Sequence, residues 1–157
     1  MKSKRSPNKV YSYNTAIKRS SLSAPVRLLK ERGLLQGHIL DYGCGRGDDA
    51  KSLTDDGYSV NSFDPHWNPD GIRTDSYDTI YCNYVLNVLR EEDESAVLLK
   101  IRDLLSDKGI AYISVRRDLK KDGETSRGFQ RRVLLDLPIV FNKSGSFCIY
   151  KMQRKDF

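Results

Sequence analysis

The sequence is poor in the features that staple, anchor or metallate a chain. Its three cysteines, Cys44, Cys82 and Cys148, are far apart, odd in number and lack CxxC spacing, which argues against a zinc site, a redox motif or a disulfide framework. Each reads as a reduced, small apolar residue, and no metal is expected. There are only two histidines, and no run of 18 or more apolar residues occurs, so no membrane-spanning helix is expected. The first residues, MKSKRSPNKVYSYN, are basic and polar. They lack the apolar core of a signal peptide, and a cytoplasmic location is the expectation.

At 157 residues and 38% hydrophobic content, the chain is the size of one ordinary domain and buries a core without staples. We expect a basic tail over 1–13 and a single domain over 14–157. The net charge of +6 is unevenly distributed: residues 1–36 carry nine Lys/Arg against one Glu, residues 37–110 seven against fifteen acids, and residues 111–157 eleven against five. Basic ends around an acidic centre are compatible with a polyanionic partner and equally with solvated tails.

Ser23-Ala24-Pro25 starts a helix that Gly33 stops. His38 to Tyr42 is a short apolar strand running into Gly43-Cys44-Gly45-Arg46-Gly47, and a helix over Asp48 to Asp56 follows, closed by Gly57. Tyr58 to Phe63 alternates as a second strand ending at Asp64, which makes a βαβ unit and an at least partly parallel sheet. Pro65 to Tyr77 is too short and too rich in Pro, Asn, Asp and Gly for another strand and helix, so the third-strand region is shortened. A strand over Tyr77 to Cys82, a helix over Glu91 to Leu105 ended by Gly109, and a strand over Ile110 to Val115 come next. Arg116 to Arg132 reads as a long loop or lid, and Val133 to Phe141 with Ser146 to Met152 as an antiparallel hairpin. The order predicts an α/β fold: a doubly wound, mostly parallel, Rossmann-like sheet ending in a hairpin.

The turn after the first strand is the strongest chemical signal. Glycines at 43, 45 and 47 permit positive φ and close approach of a ligand, and the next helix offers free N–H groups there. The spacing differs from GxGxxG. An acid at the strand end, Asp41, would repel a pyrophosphate but suits the amino and sulfonium groups of S-adenosylmethionine. Asp64, 23 residues further on, stands where a carboxylate accepts hydrogen bonds from ribose hydroxyls, although an Asp capping the turn before Pro65 is the plainer reading.

DYGCGRGDD resembles motif I of class I S-adenosylmethionine-dependent methyltransferases, E/DxGxGxG, over roughly residues 37–115. NTAIKRSSLSAPVRLLKERGLL, the DPHWNP segment and NYVLNVL extend the likeness to the methyltransferases associated with bacterial DNA phosphorothioation systems. The resemblance implies S-adenosylmethionine as cofactor and S-adenosylhomocysteine as product. It places Asp41, Tyr42, Gly43, Cys44, Gly45 and Gly47 at the amino-acid end of the cofactor and Asp64 at the ribose. Pro65, His66 and Trp67 are candidates beside adenine, Pro65 and His66 being retained as cofactor residues.

Asp64-Pro65-His66-Trp67 superficially resembles the DPPY/W tetrad of amino-methylating DNA enzymes, but it follows the ribose strand rather than the substrate strand. The substrate side is instead Asn83-Tyr84-Val85-Leu86-Asn87, where Asn83 and Asn87 could bond an amine or amide and Tyr84 could stack on a base, or where all could be core and caps. Arg116, Arg117 and Arg131, with Lys120, Lys121, Arg127 and Arg132, could form a phosphate-binding rim, or a solvated loop. The leading expectation is a methyltransferase acting on nucleic acid. A non-catalytic cofactor-binding partner of a DNA-modification or defence complex, and a small-molecule or protein methyltransferase, are the alternatives.

Overall fold

A computed structural model describes residues 21–157; the expected 1–13 tail lies outside them. Among the described residues the elements in chain order are α1 (Ala24–Glu31), β1 (His38–Tyr42), α2 (Asp48–Asp55), β2 (Ser59–Phe63), β3 (Tyr77–Asn83), α3 (Glu91–Leu104), β4 (Leu105–Arg116), β5 (Gly123–Thr125), β6 (Gly128–Gln130), β7 (Ile139–Lys143) and β8 (Phe147–Met152). A 3-10 turn over Leu86–Val88 links β3 to α3.

Six strands make one sheet in the order β2-β1-β3-β4-β8-β7. The pairs β1/β2, β1/β3 and β3/β4 are parallel, and β8 runs antiparallel to both β4 and β7. This is the doubly wound, mostly parallel architecture that the sequence predicts. Strand alternation sorts side chains onto two faces. Leu40, Ile80, Ile113 and Tyr150 pack with α3 through Leu98, Ile101 and Leu104. Their neighbours Ile39, Tyr81, Tyr112 and Ile149 pack with Val26 and Leu29 of α1 and Leu53 of α2. The chain leaves β1 for β2 on one side and returns to β3 on the other, so the topological switch point lies at the C-terminal ends of β1 and β3.

Nothing beyond the Asp64–Asn68 bridge extends the sheet past β2 among the described residues. A loop covers that edge instead: Asn68 Nδ2 donates to the Ser62 carbonyl (2.7 Å), and the Tyr77 hydroxyl donates to Asn61 Oδ1 (2.8 Å). Gly71 is pressed so closely against β2 that a Cβ there would overlap the Ser62 carbonyl oxygen. Side chains thereby take over the pairing that a third strand would supply.

Three boundaries differ from expectation. Helix α3 ends at Leu104 and the chain enters β4 directly at Leu105. Gly109 does not stop the helix but lies inside β4, where the register with β3 shifts and a Cβ would come within 2.6 Å of the Tyr77 carbonyl oxygen. The 116–132 segment is not all loop, because β5 and β6 pair as a short hairpin. Strand β7 begins at Ile139 rather than Val133, since Pro138 has no N–H for a ladder; its carbonyl accepts from Lys151 N at 2.8 Å. No described helix is long and apolar enough to cross a membrane.

Candidate cofactor and substrate cleft

A cleft of about 510 Å³ opens at the switch point, lined by the glycine turn, the ends of β3 and β4, and the β5–β6 hairpin. The turn is set by backbone geometry. Gly43, Gly45 and Gly47 have φ of 85°, 55° and 81°, in the left-handed region that side chains disfavour. Two N–H groups, of Gly43 and Cys44, donate to the Phe63 carbonyl at 2.7 and 2.8 Å, tying the turn to the end of β2. Gly47 caps α2, whose first turn carries Asp48 and Asp49.

Two buried carboxylates define the floor. Asp41, 3% exposed, accepts one hydrogen bond from the Tyr81 hydroxyl at 2.9 Å. Burial holds its pKa well above the ordinary carboxyl range, the charge of Asp49 pushes the same way, the Tyr81 bond opposes, and Asp64 adds a further upward push. Asp64, 2% exposed, receives Gly45 N on Oδ2 (3.0 Å) and His66 N and Trp67 N on Oδ1 (2.8 and 3.0 Å). It both caps the Pro65 turn, as its alternative sequence reading expected, and braces the glycine turn from β2. Asp48 and Asp49 complete an acidic half of the cleft. Burial, with Asp41 and Asp64 behind it, pushes the Cys44 thiol up to about 12, which leaves no thiolate for nucleophilic chemistry.

On the opposite side lie Asn83, Tyr84, Arg116, Arg127 and Gln130. Tyr84 has φ +59°, a costly conformation for a non-glycine residue and one concentrated at functional sites. Asn83 Nδ2 donates to Ser23 Oγ at 3.2 Å, and Ser23 N and Oγ both donate to Asp49, at 2.8 and 2.7 Å. The start of α1 is thereby latched across the glycine turn onto β3.

Of the residues predicted from sequence, the structure brings Asp41, Gly43, Cys44, Gly45, Asp64, Asn83, Tyr84 and Arg116 to one cleft. Others are placed elsewhere. Tyr42 packs on Phe63, with ring centroids 5.0 Å apart; Gly47 serves as the α2 cap; Pro65 is exposed, and the His66 ring meets the edge of Trp67 at 5.2 Å. Asn87 is fully buried and spent on the backbone: its Nδ2 donates to Arg131 O (2.8 Å) and its Oδ1 accepts from Arg116 N (2.9 Å).

Three arginines of the expected cationic rim are engaged within the protein. Arg131 donates to Leu89 O (2.7 Å) and to Glu94 (2.9 Å) in a mostly buried pair. Arg117 donates to Val133 O and the Tyr150 hydroxyl, both at 2.7 Å. Arg116 stays at the cleft but forks onto Asp118 at 2.8 and 2.7 Å, which holds the Asp118 carboxyl below its usual range. Arg127, one of the basic residues expected at a phosphate-binding rim, also lines the cleft. Sequence reasoning missed Ser23, Asp49 and Gln130 as site residues. Asp49 sits in the quoted motif and could have been picked out as an acid in the first turn of α2; the other two carry no local signal.

Buried carboxylates beside a glycine cradle, with no cation paired to them among the described residues, fit the cationic cofactor S-adenosylmethionine. The comparisons with known proteins agree with this geometry. Residues 14–151 match the methyltransferase domain family. No curated protein matches the sequence. A TehB-like SAM-dependent methyltransferase from Corynebacterium glutamicum superposes with a TM-score of 0.59 at 19% identity, covering 85% of this chain and 88% of that one. A SAM-dependent methyltransferase from Bacteroides fragilis in complex with S-adenosyl-L-homocysteine gives 0.59 at 14%, covering 92% and 93%. A Burkholderia thailandensis 1,6-didemethyltoxoflavin-N1-methyltransferase with bound 1,6-didemethyltoxoflavin and S-adenosylhomocysteine gives 0.60 at 17%, covering 82% and 76%.

Proposed function

Since this chain belongs to the methyltransferase domain family and has the fold of S-adenosylmethionine-dependent methyltransferases, we propose that its cleft holds S-adenosylmethionine against Asp41, Asp64 and the glycine turn and serves methyl transfer to nucleic acid. The observation that carries the cofactor assignment is the pair of buried carboxylates flanking three left-handed glycines at the sheet's switch point. The cofactor supplies an electrophilic methyl on a sulfonium, and methyl transfer from it is an in-line displacement that requires alignment above all.

The chain's own residues then divide the work. Asp41 faces the cationic amino-acid end, where a positive charge relieves the cost of its burial. Asp64 braces the turn through Gly45 and offers its carboxylate to the ribose. Tyr84, half-buried on the cleft wall at a left-handed backbone position, is the stacking surface for a base. Arg46 and Arg127, both exposed and lining the cleft, are candidates to meet phosphate. The likeness to methyltransferases associated with DNA phosphorothioation supports a nucleic-acid acceptor. A small-molecule acceptor is the second reading, favoured by the engagement of Arg117 and Arg131 inside the protein and by the toxoflavin-related substrate of the Burkholderia enzyme.

Calorimetric titration with S-adenosylmethionine and S-adenosylhomocysteine tests the cofactor site. Micromolar binding is expected, weakened at least about tenfold, or ~1.4 kcal/mol, in Asp64→Ala. Undiminished affinity in that variant would remove Asp64 from the site. Radiolabelled methyl transfer to mixed DNA and RNA, and to a small-molecule extract, separates the two acceptor readings.

A further inference from the structure

A second cleft, of about 460 Å³, lies beside the first. Arg127 and Gln130 of the β5–β6 hairpin line the first cleft, whereas Asp122 and Arg132, just outside the hairpin's two ends, line the second. Arg116 lines both. The two hollows therefore share a wall, and one ligand can reach into both. The size of the second is that of an ordinary small-ligand site.

The arginines around it differ in how their charge is met. Arg131 pairs with Glu94 at 2.9 Å, Arg132 with Asp122 at 3.1 Å and Arg116 with Asp118 at 2.7 Å. Arg117, half-buried on the same wall, belongs to no ion pair among the described residues. Its hydrogen bonds run to neutral acceptors: the Val133 carbonyl and the Tyr150 hydroxyl, both at 2.7 Å, and the Arg116 carbonyl at 3.4 Å. Such bonds fix the plane of the guanidinium without neutralising it, and they leave part of its five-donor fork free. A half-buried cation held in place by dipoles alone is a preorganised seat for an anion. Glu91 also lines the cleft, but it stands exposed in the first turn of α3, where water and salt screen it.

The lip is apolar. Leu134 is 85% exposed, more than any other large apolar side chain among the described residues, and Leu119 lies with it on the wall. A leucine exposed on a plain surface is ordinary. At the edge of a cationic hollow it adds a second chemistry, an apolar surface for a flat ring beside a fixed positive charge.

Resting on the nucleic-acid reading above, we infer that the second cleft holds the nucleotide adjacent to the one being methylated, its phosphate on Arg117 and its base against Leu134 and Leu119. The wall shared through Arg116 lets one strand occupy both clefts. Apolar contact accepts the face of any base, so this site holds the strand without reading its sequence.

The test measures anisotropy of a short, fluorescein-labelled, mixed-sequence single strand, as DNA and as RNA, with the full chain; calorimetry of S-adenosylmethionine binding, Tm and sedimentation are read in parallel. Leu134→Ser should weaken strand binding about tenfold through the lost apolar contact, and Leu134→Glu by more, because its charge opposes the phosphate. Both should leave Tm and cofactor affinity unchanged, since Leu134 is exposed and lies outside the first cleft. Ile139→Glu makes the same charge change at an exposed residue that lines neither cleft, and should move strand binding less than about twofold. Strand binding undiminished in both Leu134 variants, or losses in Leu134→Glu and Ile139→Glu that match while Leu134→Ser shows none, overturns the inference. No strand binding by the wild type sinks the nucleic-acid reading, and the inference with it. A wild-type dimer that Leu134→Ser abolishes, with strand binding unchanged, assigns the cleft to a second copy and likewise overturns it.

Discussion

Asp41 sits in surroundings that oppose its charge, and its titration carries a sign that can be measured. Burial raises its folded-state pKa above the ordinary 3.8, so the ionised form is costlier in the folded protein than in the unfolded chain. The resulting penalty is absent below the ordinary carboxyl range and grows as pH climbs from there through the raised value. Asp41→Asn should therefore raise the Tm of the ligand-free protein at about pH 8, by ~2–4 °C per kcal/mol relieved, with the gap closing toward about pH 4. The same variant should bind S-adenosylmethionine more weakly. A cation placed beside Asp41 lowers its pKa, so cofactor binding to the wild type should release protons and strengthen with pH. Calorimetry in buffers of different ionisation enthalpy reads that release, and a pH-independent affinity would detach Asp41 from the cofactor's charge.

At the scale of elements, the notable substitution is a loop where a strand would extend the sheet. The β2 edge is closed by Asn68, Tyr77 and the close approach of Gly71 to Ser62. Gly71→Ala forces that backbone contact apart and should cost about 1–3 kcal/mol, seen as a lower urea midpoint. Cofactor affinity should fall too, because Asp64 and the Phe63 carbonyl that brace the glycine turn are carried by the same edge. The runs around Ile39/Leu40 and Ile80/Tyr81 were legible as strands because adjacent apolar residues face both helix layers. The start of β7 was not, because Val133 is apolar and buried beside the strand core, and hydrophobicity alone does not separate packed irregular chain from ladder.

For the whole molecule, the question is which arginines face outward. Arg131 and Glu94 form a pair with side chains 9% and 20% exposed, and breaking such a pair from one side leaves an uncompensated charge. Arg131→Ala should lower stability by about 3–5 kcal/mol in chemical denaturation. Arg127, exposed at the β5–β6 tip and lining the cleft, should behave oppositely. Arg127→Ala leaves the denaturation midpoint in place but weakens oligonucleotide binding and reduces the slope of log K against log salt by about 0.7–0.9. An unchanged slope would remove Arg127 from any phosphate contact.

The sequence by itself determined the glycine-turn half of the cleft. A strand end, three glycines and a helix start lie within seven residues, Asp41 to Gly47, and backbone conformation over so short a span is a local property that any surrounding fold must accept. It also determined the layering, because strand and helix periodicities are local too. Only the tertiary structure decided the opposite wall. Ser23, Asn83 and Gln130 meet from three distant segments, and whether Arg117 and Arg131 turn outward or inward depends on Tyr150, Val133, Leu89 and Glu94, which are 16 to 42 residues away. A charged side chain's partner is chosen by the packing of the whole chain, which spacing along the sequence does not encode.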